Sequence, residues 1–456
     1  MEKRERFASR LGFILISAGC SIGLGDVWRF PYITGKYGGG IFVLIYLLCI
    51  IALGIPIMTM ELAVGRASQK SIATSFRVME RPGQKWHLMG YAGIAGNYLL
   101  MMFYTTVAGW MLAYFFKFMV GQFNGLNPQQ VGQVFADFIA NPFAMVLWMV
   151  VTTVFCFGVC SLGLQKGVEK VTKVMMTLLF VLIMILILKA VTLPNAGEGL
   201  KFYLLPDVNR IQETGLWETI FAAMSQAFFT LSLGVGSMAI FGSYIGKERN
   251  LFGEAINIAT LDTLISLLAG LIIFPACFAF GVNPGEGPGL VFVTLPNIFN
   301  AMGGGQIWGA LFFIFMTFAA YSTVIAVFEN IIAFGMDLWG WSRPKSAFIN
   351  TFLMILLALP CGLGFNVLSG FQPFGEGTSV LDLEDFILSY NLLPIGCLVY
   401  LLFCVTRYGW GFDHFLAEIN TGQGIKMPRA FKPYFQWVLP VIILIILIQG
   451  YINFFS

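Results

Sequence analysis

Long apolar runs dominate the sequence, and short polar connections separate them. A helix needs about 20 mostly apolar residues to cross the hydrocarbon core of a bilayer. Eleven runs approach or exceed that length, at 11–36, 41–65, 88–119, 143–161, 168–189, 216–244, 252–282, 306–339, 346–366, 383–407 and 434–455. The pattern predicts an all-α polytopic membrane protein, and we number these segments span 1 to span 11 in chain order.

The composition excludes a soluble globule. Hydrophobic residues make up 58% of the 456 residues and charged residues only 11%, against roughly a quarter charged in soluble domains. So few charges could not cover that much apolar surface in water. No linker-like stretch divides the chain, so we expect one transmembrane domain over 1–456 with the lipid bilayer as its surroundings. The cysteines all fall inside apolar runs, and we predict neither a disulfide nor a cysteine-bound metal.

The basic residues indicate the orientation of the chain. If the amino terminus is cytoplasmic, 20 of the 26 Lys and Arg residues lie in cytoplasmic connections or at the amino terminus. Cytoplasmic loops of membrane proteins carry such an excess. We therefore expect a cytoplasmic amino terminus and an extracellular carboxyl terminus. The net charge of +3 then reflects topology, and no nucleic-acid partner is expected.

Spans 1 and 6 share an unusual mid-membrane composition. Both contain glycine, proline or hydroxyl-bearing residues: Gly19, Gly23, Gly25 and Pro31 in span 1, and Thr230, Ser232, Gly234, Gly236 and Ser237 in span 6. Backbone exposed by a broken helix is tolerated at this depth only where it lines a cavity. Breaks at matching positions predict two five-span repeats, 11–189 and 216–407, followed by 434–455, with a binding site between them. The alternative is close helix packing through small residues.

Few ionisable residues lie inside the spans, and each is costly there. Among them we single out Asp26, Arg29, Glu61, Asp262, Glu329 and Asp385. Arg29 and Asp385 could pair across an outer vestibule, with Gln226 nearby, or form a permanent structural ion pair. Glu61 is expected to accept hydrogen bonds from main-chain amides freed by a helix break. The apolar stretch 291–302 is too short to cross, and is either a re-entrant or capping element or a loop packed on the outer surface.

Several spaced motifs resemble those of the neurotransmitter:sodium symporter family. They are Gly23-Leu24-Gly25-Asp26-Val27-Trp28-Arg29-Phe30-Pro31, Gly38-Gly39-Gly40 with Phe42, Pro56 with Glu61 and Gly65-Arg66, and Phe228-Phe229-Thr230-Leu231-Ser232-Leu233-Gly234. The resemblance covers nearly the whole chain and is strongest to the bacterial amino-acid branch. It implies a LeuT-like fold of two inverted five-helix repeats with broken helices 1 and 6, followed by helix 11. It also implies a location in the bacterial cytoplasmic membrane.

The resemblance also implies sites. A first sodium ion would be bound by Ser21, Asp26, Thr230 and Asp262, and a second by Gly19, Ile22, Ala319, Ser322 and Thr323. The amino-acid substrate would contact Ser21, Leu24, Gly25, Leu100, Tyr104, Phe229, Thr230, Ser232, Val235, Thr323 and Val327. An outer gate would comprise Arg29, Asp385, Tyr104, Phe229 and Gln226, and an inner gate Arg4, Asp337, Ser243 and Tyr244.

The implied function is sodium-coupled import of hydrophobic or aromatic neutral L-amino acids by alternating access. Monoamine transporters of the family carry an Asp where this chain has Gly23, so the substrate is expected to bring its own carboxylate. Asp26 and Asp262 stand where relatives have Asn, and Thr177 stands where many have Pro. A fixed charge at Asp262 implies independence from chloride and allows the empty carrier to return protonated, which would be proton counter-transport. The alternative is a sodium-dependent amino-acid sensor or channel; no motif indicates an enzyme.

Overall fold

The computed structural model describes residues 5–282, 284–285 and 289–455. Within these residues nine helices are long and apolar enough to cross a membrane: Gly40–Ser68, Leu88–Met119, Pro142–Ser161, Leu164–Ala190, Leu251–Ala279, Gly305–Trp339, Arg343–Leu363, Val380–Val405 and Arg429–Phe455. They are spans 2 to 5 and 7 to 11. Span 1 is a bent pair, Arg10–Ser21 and Gly25–Lys36, whose halves differ in direction by 55°.

Span 6 is two short helices, Leu216–Thr230 and Ser237–Tyr244. Each half is shorter than a bilayer crossing, but together they complete the eleven predicted segments in the described part of the chain. The linker between them contains three residues in the left-handed backbone region, Ser232 (φ 50°), Gly234 (φ 101°) and Gly236 (φ 73°). At Gly234 a Cβ atom would lie 2.1 Å from the carbonyl oxygen of Leu393, so only glycine allows span 10 to approach this closely.

Glu61 joins span 2 to the break in span 6. Its side chain is fully buried, and its two oxygens accept hydrogen bonds from the amides of Gly234 (2.5 Å) and Met238 (3.1 Å). These amides lie in the linker and the first turn of Ser237–Tyr244, where no preceding helical turn supplies acceptors. The structural role predicted for Glu61 is therefore confirmed.

The connections contain short helices that the hydrophobic pattern did not predict. They are Ile72–Met79, Pro128–Ala140, Ala196–Leu204, Asn209–Thr214, Leu290–Ala301 and Phe412–Ile419. Leu290–Ala301 is the apolar stretch whose role was open, and it is helical and partly buried. Its Phe292 ring lies 5.9 Å from that of Trp28 and 5.4 Å from that of Trp110, so this helix packs onto spans 1 and 3.

Candidate substrate and sodium sites

The break in span 1 exposes main-chain groups at the centre of the molecule. Its first helix ends at Ser21, and Gly25 begins the second. The amide of Leu24 donates a hydrogen bond of 2.8 Å to the hydroxyl of Tyr104 on span 3. A Cβ atom at Gly23 would lie 2.3 Å from that hydroxyl and 2.6 Å from Oγ1 of Thr323. A side chain at position 23 is therefore excluded from this arrangement.

A deep cavity adjoins this break. It is lined by Ser21, Gly23, Gly25, Leu100, Tyr104, Phe229, Thr230, Ser232, Thr323, Leu388 and Leu393. Main-chain and hydroxyl groups line one part, and large apolar side chains line another. Eight of the eleven predicted substrate residues belong to this lining, and they come from spans 1, 3, 6 and 8.

Some predicted residues lie elsewhere, and two lining residues were missed. Leu24 lines the neighbouring outer cavity rather than the deep one. Val235 and Val327 are buried but are absent from the lining described for the deep cavity. Leu388 and Leu393 of span 10 complete the apolar wall, although the uniformly apolar sequence there does not indicate which face meets a cavity.

Two acidic side chains lie beside the deep cavity at the predicted first sodium site. Asp26 accepts hydrogen bonds from the amide of Gly23 (2.9 Å), from Oγ1 of Thr230 (2.5 Å) and from the hydroxyl of Ser266. Asp262 is fully buried, and neither of its oxygens has a hydrogen-bond partner among the described residues. An unpaired buried carboxylate is strongly disfavoured, so the chemistry of this pair fits a bound cation.

The five residues predicted for the second sodium site converge between spans 1 and 8. Oγ1 of Thr323 lies 3.3 Å from the carbonyl oxygen of Gly19 and 3.1 Å from that of Ile22. Oγ of Ser322 lies 2.9 Å from the carbonyl oxygen of Ala319 and 3.4 Å from that of Ile22. Three carbonyls and two hydroxyls are thus gathered in one place, and hard monovalent and divalent cations prefer such oxygen ligands.

An outer vestibule of about 270 Å³ lies on the side predicted to be extracellular. It is lined by Leu24, Trp28, Arg29, Tyr32, Phe103, Tyr104, Val107, Phe229, Leu381, Asp382 and Asp385. Tyr104 and Phe229 line both this vestibule and the deep cavity. These two rings, both predicted members of the outer gate, therefore separate the two cavities.

The charged members of the predicted outer gate face the vestibule without touching. The guanidinium carbon of Arg29 lies 4.1 Å from the ring centroid of Phe229, a cation–π contact. Asp385 accepts a hydrogen bond of 2.6 Å from Ser389, and no salt bridge joins it to Arg29 in the described chain. Gln226 donates a 2.9 Å hydrogen bond to the carbonyl of Gly25. The pairing of Arg29 with Asp385 stays a prediction.

At the opposite end, the predicted inner gate is only partly described. Arg4 lies outside the described residues. Asp337 accepts hydrogen bonds from the amide (2.8 Å) and hydroxyl (2.7 Å) of Ser71 and lies 3.3 Å from Nζ of Lys70. Ser243 donates to its own helix, at 2.6 Å from the carbonyl of Ile240.

Tyr244 belongs to a second polar network at this end. Its hydroxyl donates a 2.7 Å hydrogen bond to Glu329, and Glu329 forms a salt bridge of 2.6 Å with Arg343 at the start of span 9. The buried acid in span 8 indicated that a partner must exist. Arg343, however, lies 14 residues later in a different element, so the sequence alone did not identify it.

A buried amide pair near the cavity was also missed. Asn97 on span 3 donates a hydrogen bond of 2.8 Å to the carbonyl of Val235. Asn330 on span 8 donates a hydrogen bond of 3.0 Å to Oδ1 of Asn97. Both side chains are fully buried. The pair fixes the linker of span 6 against spans 3 and 8. Asparagines inside two apolar runs were the available signal.

Two broken helices, a central cavity and clusters of oxygen ligands beside it define a secondary transporter. The chain belongs to the sodium:neurotransmitter symporter family, whose model matches residues 4–126 and 129–456. It is therefore a multi-pass membrane transporter rather than an enzyme, and sodium dependence is a property of its family.

Solved structures and curated relatives agree with this assignment. MhsT, whose crystal structure contains L-phenylalanine, is 38% identical to this chain in sequence. The match covers 98% of this chain and 100% of the MhsT chain, and the two structures superpose with a TM-score of 0.87. The sodium-dependent transporter YhdH of Bacillus subtilis is 35% identical over 98% of both chains. A sodium-dependent transporter of Haemophilus influenzae is 30% identical, also over 98% of both. The predicted LeuT-like fold is thereby confirmed, whereas the boundaries of the repeats stay predictions.

Proposed function

We propose that this protein is a symporter that imports neutral L-amino acids with large hydrophobic or aromatic side chains. Two sodium ions accompany each substrate, and the carrier alternates between outward- and inward-facing states. It lies in a bacterial cytoplasmic membrane with its amino terminus inside. The observation that carries this proposal is the deep cavity, which has main-chain and hydroxyl groups on one side and an apolar wall on the other.

The polar part of the cavity suits the carboxylate of an amino acid. Amide groups at the start of a half-helix attract anions. Gly23, Gly25 and Tyr104 line this part of the cavity, and the amide of Leu24 lies 2.8 Å from the hydroxyl of Tyr104. The space beside Gly23 cannot hold a side chain, so the protein supplies no acid of its own at that point. The ligand must therefore bring one.

The apolar wall suits the substrate's side chain. Leu100, Phe229, Leu388 and Leu393 present aliphatic and aromatic surface, which favours hydrophobic groups and disfavours charged ones. MhsT, the similar solved structure, is bound to L-phenylalanine. A hydrophobic or aromatic L-amino acid is the substrate class that both observations support.

The acidic pair at the first sodium site supports independence from chloride. Asp262 is buried without a hydrogen-bond partner in the described chain. We assign to it the negative charge that a chloride ion would otherwise supply. Asp26, Asp262 and the substrate carboxylate together carry three negative charges if all are ionised. One sodium ion there would be over-neutralised unless the pair holds a proton. When sodium and substrate leave on the cytoplasmic side, the uncompensated pair takes up a proton, and the empty carrier returns protonated. That proton is released outside as sodium binds again, which is proton counter-transport. Coupled acids share such a proton, so we assign it to the pair.

A sensor or channel with the same cavity is the second candidate. Two sodium ions that move down a membrane potential of about 100 mV and a tenfold concentration gradient supply roughly 7 kcal/mol. Each ion contributes about 2.3 kcal/mol from the potential and about 1.4 kcal/mol from the gradient. That suffices for about a 10⁵-fold amino-acid gradient if coupling is tight. Two separate oxygen clusters, one at Asp262 and one at Thr323, favour the coupled transporter.

The substrate class is tested by competition in proteoliposomes that contain the purified protein. Sodium-driven uptake of labelled L-phenylalanine is measured with a tenfold excess of unlabelled compound. Leucine, tyrosine and tryptophan should compete, because each has a carboxylate and a hydrophobic side chain. Competition by dopamine or γ-aminobutyrate, but not by these amino acids, would contradict the proposal.

A further inference from the structure

Glu384 lies in the outer part of span 10 and is not used by the sites described above. Its neighbours Asp382 and Asp385 line the outer vestibule, but Glu384 does not. Only 3% of its surface is exposed. Within the described chain neither carboxyl oxygen has a hydrogen-bond partner of ordinary geometry. This acid is almost completely enclosed, and no basic residue of the described chain forms a salt bridge with it.

The groups around Glu384 carry no positive charge. From span 9 it faces the thiol of Cys361, a weak donor, and from span 3 the hydroxyl of Thr106 lies against the same thiol. The charged residues Arg29 and Asp385 lie near the phenol of Tyr390, further along span 10.

The other acids on this helix have their own partners. Asp382 accepts hydrogen bonds from the amide and hydroxyl of Ser379, at 2.7 and 2.9 Å. Asp385 accepts one from Ser389 at 2.6 Å. The nearest cation of the vestibule, Arg29, is stacked on Phe229. Glu384 therefore differs from both neighbours, because the one donor that faces it in the described chain is the weak thiol of Cys361.

An ionised carboxylate enclosed in this way costs several kcal/mol, so the group is neutralised instead. We propose that Glu384 is a proton-binding site in the wall of the outer vestibule. The carboxylate takes up one proton from the vestibule side when the wall closes around it, and the acid returns that proton to water when the wall opens and hydrates it.

Proton binding at this site favours the arrangement described here, in which Glu384 is buried. Rising pH on the vestibule side removes the proton, favours a hydrated Glu384 and so disfavours closure. Because one proton is involved, occupancy falls by about tenfold per pH unit above the midpoint. This inference rests on the proposed transport function only for its effect on uptake; the protonated acid itself can be detected without transport.

The first test measures uptake of labelled L-phenylalanine at a series of external pH values. The variants are Glu384→Gln, which imitates the neutral acid, and Glu376→Gln, a matched control at an exposed glutamate of the preceding loop. Wild type and Glu376→Gln should lose uptake by up to about tenfold per pH unit on the alkaline side. Glu384→Gln should show no such loss. An unchanged pH profile in Glu384→Gln would overturn the proposal.

The second test is infrared difference spectroscopy of the purified protein in lipid, recorded between acidic and alkaline buffer. Wild type and Glu376→Gln should show a protonated carboxylic-acid band that is absent in Glu384→Gln. No difference between the variants would overturn the proposal, as would a Glu384-dependent signal that follows sodium concentration and not pH. A wild type that shows the band but transports no amino acid would defeat the proposed function and leave the proton site standing.

Discussion

Replacing Thr323 with Ala removes one hydroxyl from the proposed second sodium site. Oγ1 of Thr323 lies 3.1 Å from the carbonyl oxygen of Ile22 and 3.3 Å from that of Gly19. A cation bound among these oxygens would therefore lose one of five ligands. The remaining four, from Gly19, Ile22, Ala319 and Ser322, stay where span 1 and span 8 place them.

The size of the effect follows from the strength of one such contact. An interaction between a neutral hydroxyl and a charged group contributes about 1.5–3 kcal/mol. Since 1.4 kcal/mol corresponds to a factor of ten, the variant should require about 10- to 100-fold more sodium for half-maximal uptake. Thr323 also lines the deep cavity, but the methyl group lost there is small, so the order of preference among amino acids should not change.

The assay is sodium-dependent uptake of labelled L-phenylalanine into proteoliposomes at several sodium concentrations. Thr323→Ser is the matched control, because it keeps the hydroxyl and loses only the methyl group. It should behave like wild type within a few fold. Sodium affinity that is unaltered in Thr323→Ala would remove this residue from the site and refute the reasoning.

Three further substitutions test neighbouring features. With chloride replaced by gluconate, uptake by wild type should be unchanged, whereas Asp262→Asn should lose activity or respond to chloride; a wild type that stops without chloride would contradict this. Val235→Phe should shift preference towards smaller aliphatic substrates. Val235 already contacts Gly96 on span 3, so the phenyl ring of the variant must turn towards the cavity. An unchanged preference order in competition assays would refute it. Glu61→Gln should lower the thermal midpoint of the purified protein, because one of the two hydrogen bonds that Glu61 accepts from the amides of Gly234 and Met238 is lost. The cost is about 1–3 kcal/mol, and an unchanged midpoint would argue against it.

The hydrophobic pattern predicted the spans well because lipid requires long apolar helices with internally satisfied backbones. Both breaks were predictable because glycine and hydroxyl-bearing residues weaken a helix, and backbone exposed at membrane depth is tolerated only where it lines a cavity. The helix Pro128–Ala140 was not predicted. It is short and amphipathic and begins at a capping box of Asn127 and Gln130, which is a local signal that a search for bilayer crossings overlooks.

The candidate site was predictable where its residues belong to sequence motifs and not where they depend on packing. Asp26 and Thr230 lie beside the breaks of spans 1 and 6, and Thr323 belongs to the hydroxyl pair of span 8. Thr230 and Thr323 line the cavity, and Asp26 accepts a hydrogen bond from Thr230. Leu388 and Leu393 belong to a run in which every face is apolar. Asn97 and Asn330 lie 233 positions apart, and only the tertiary structure shows that they meet.

The central claim is that this cavity binds an amino acid whose movement is coupled to sodium. The most direct test is accumulation of labelled L-phenylalanine in proteoliposomes with an inward sodium gradient. Internal substrate should rise well above the external concentration and should fall to equilibrium when an ionophore dissipates the sodium gradient. Sodium-dependent binding without accumulation, or uptake that never exceeds equilibrium, would contradict the account and identify a sensor or a channel.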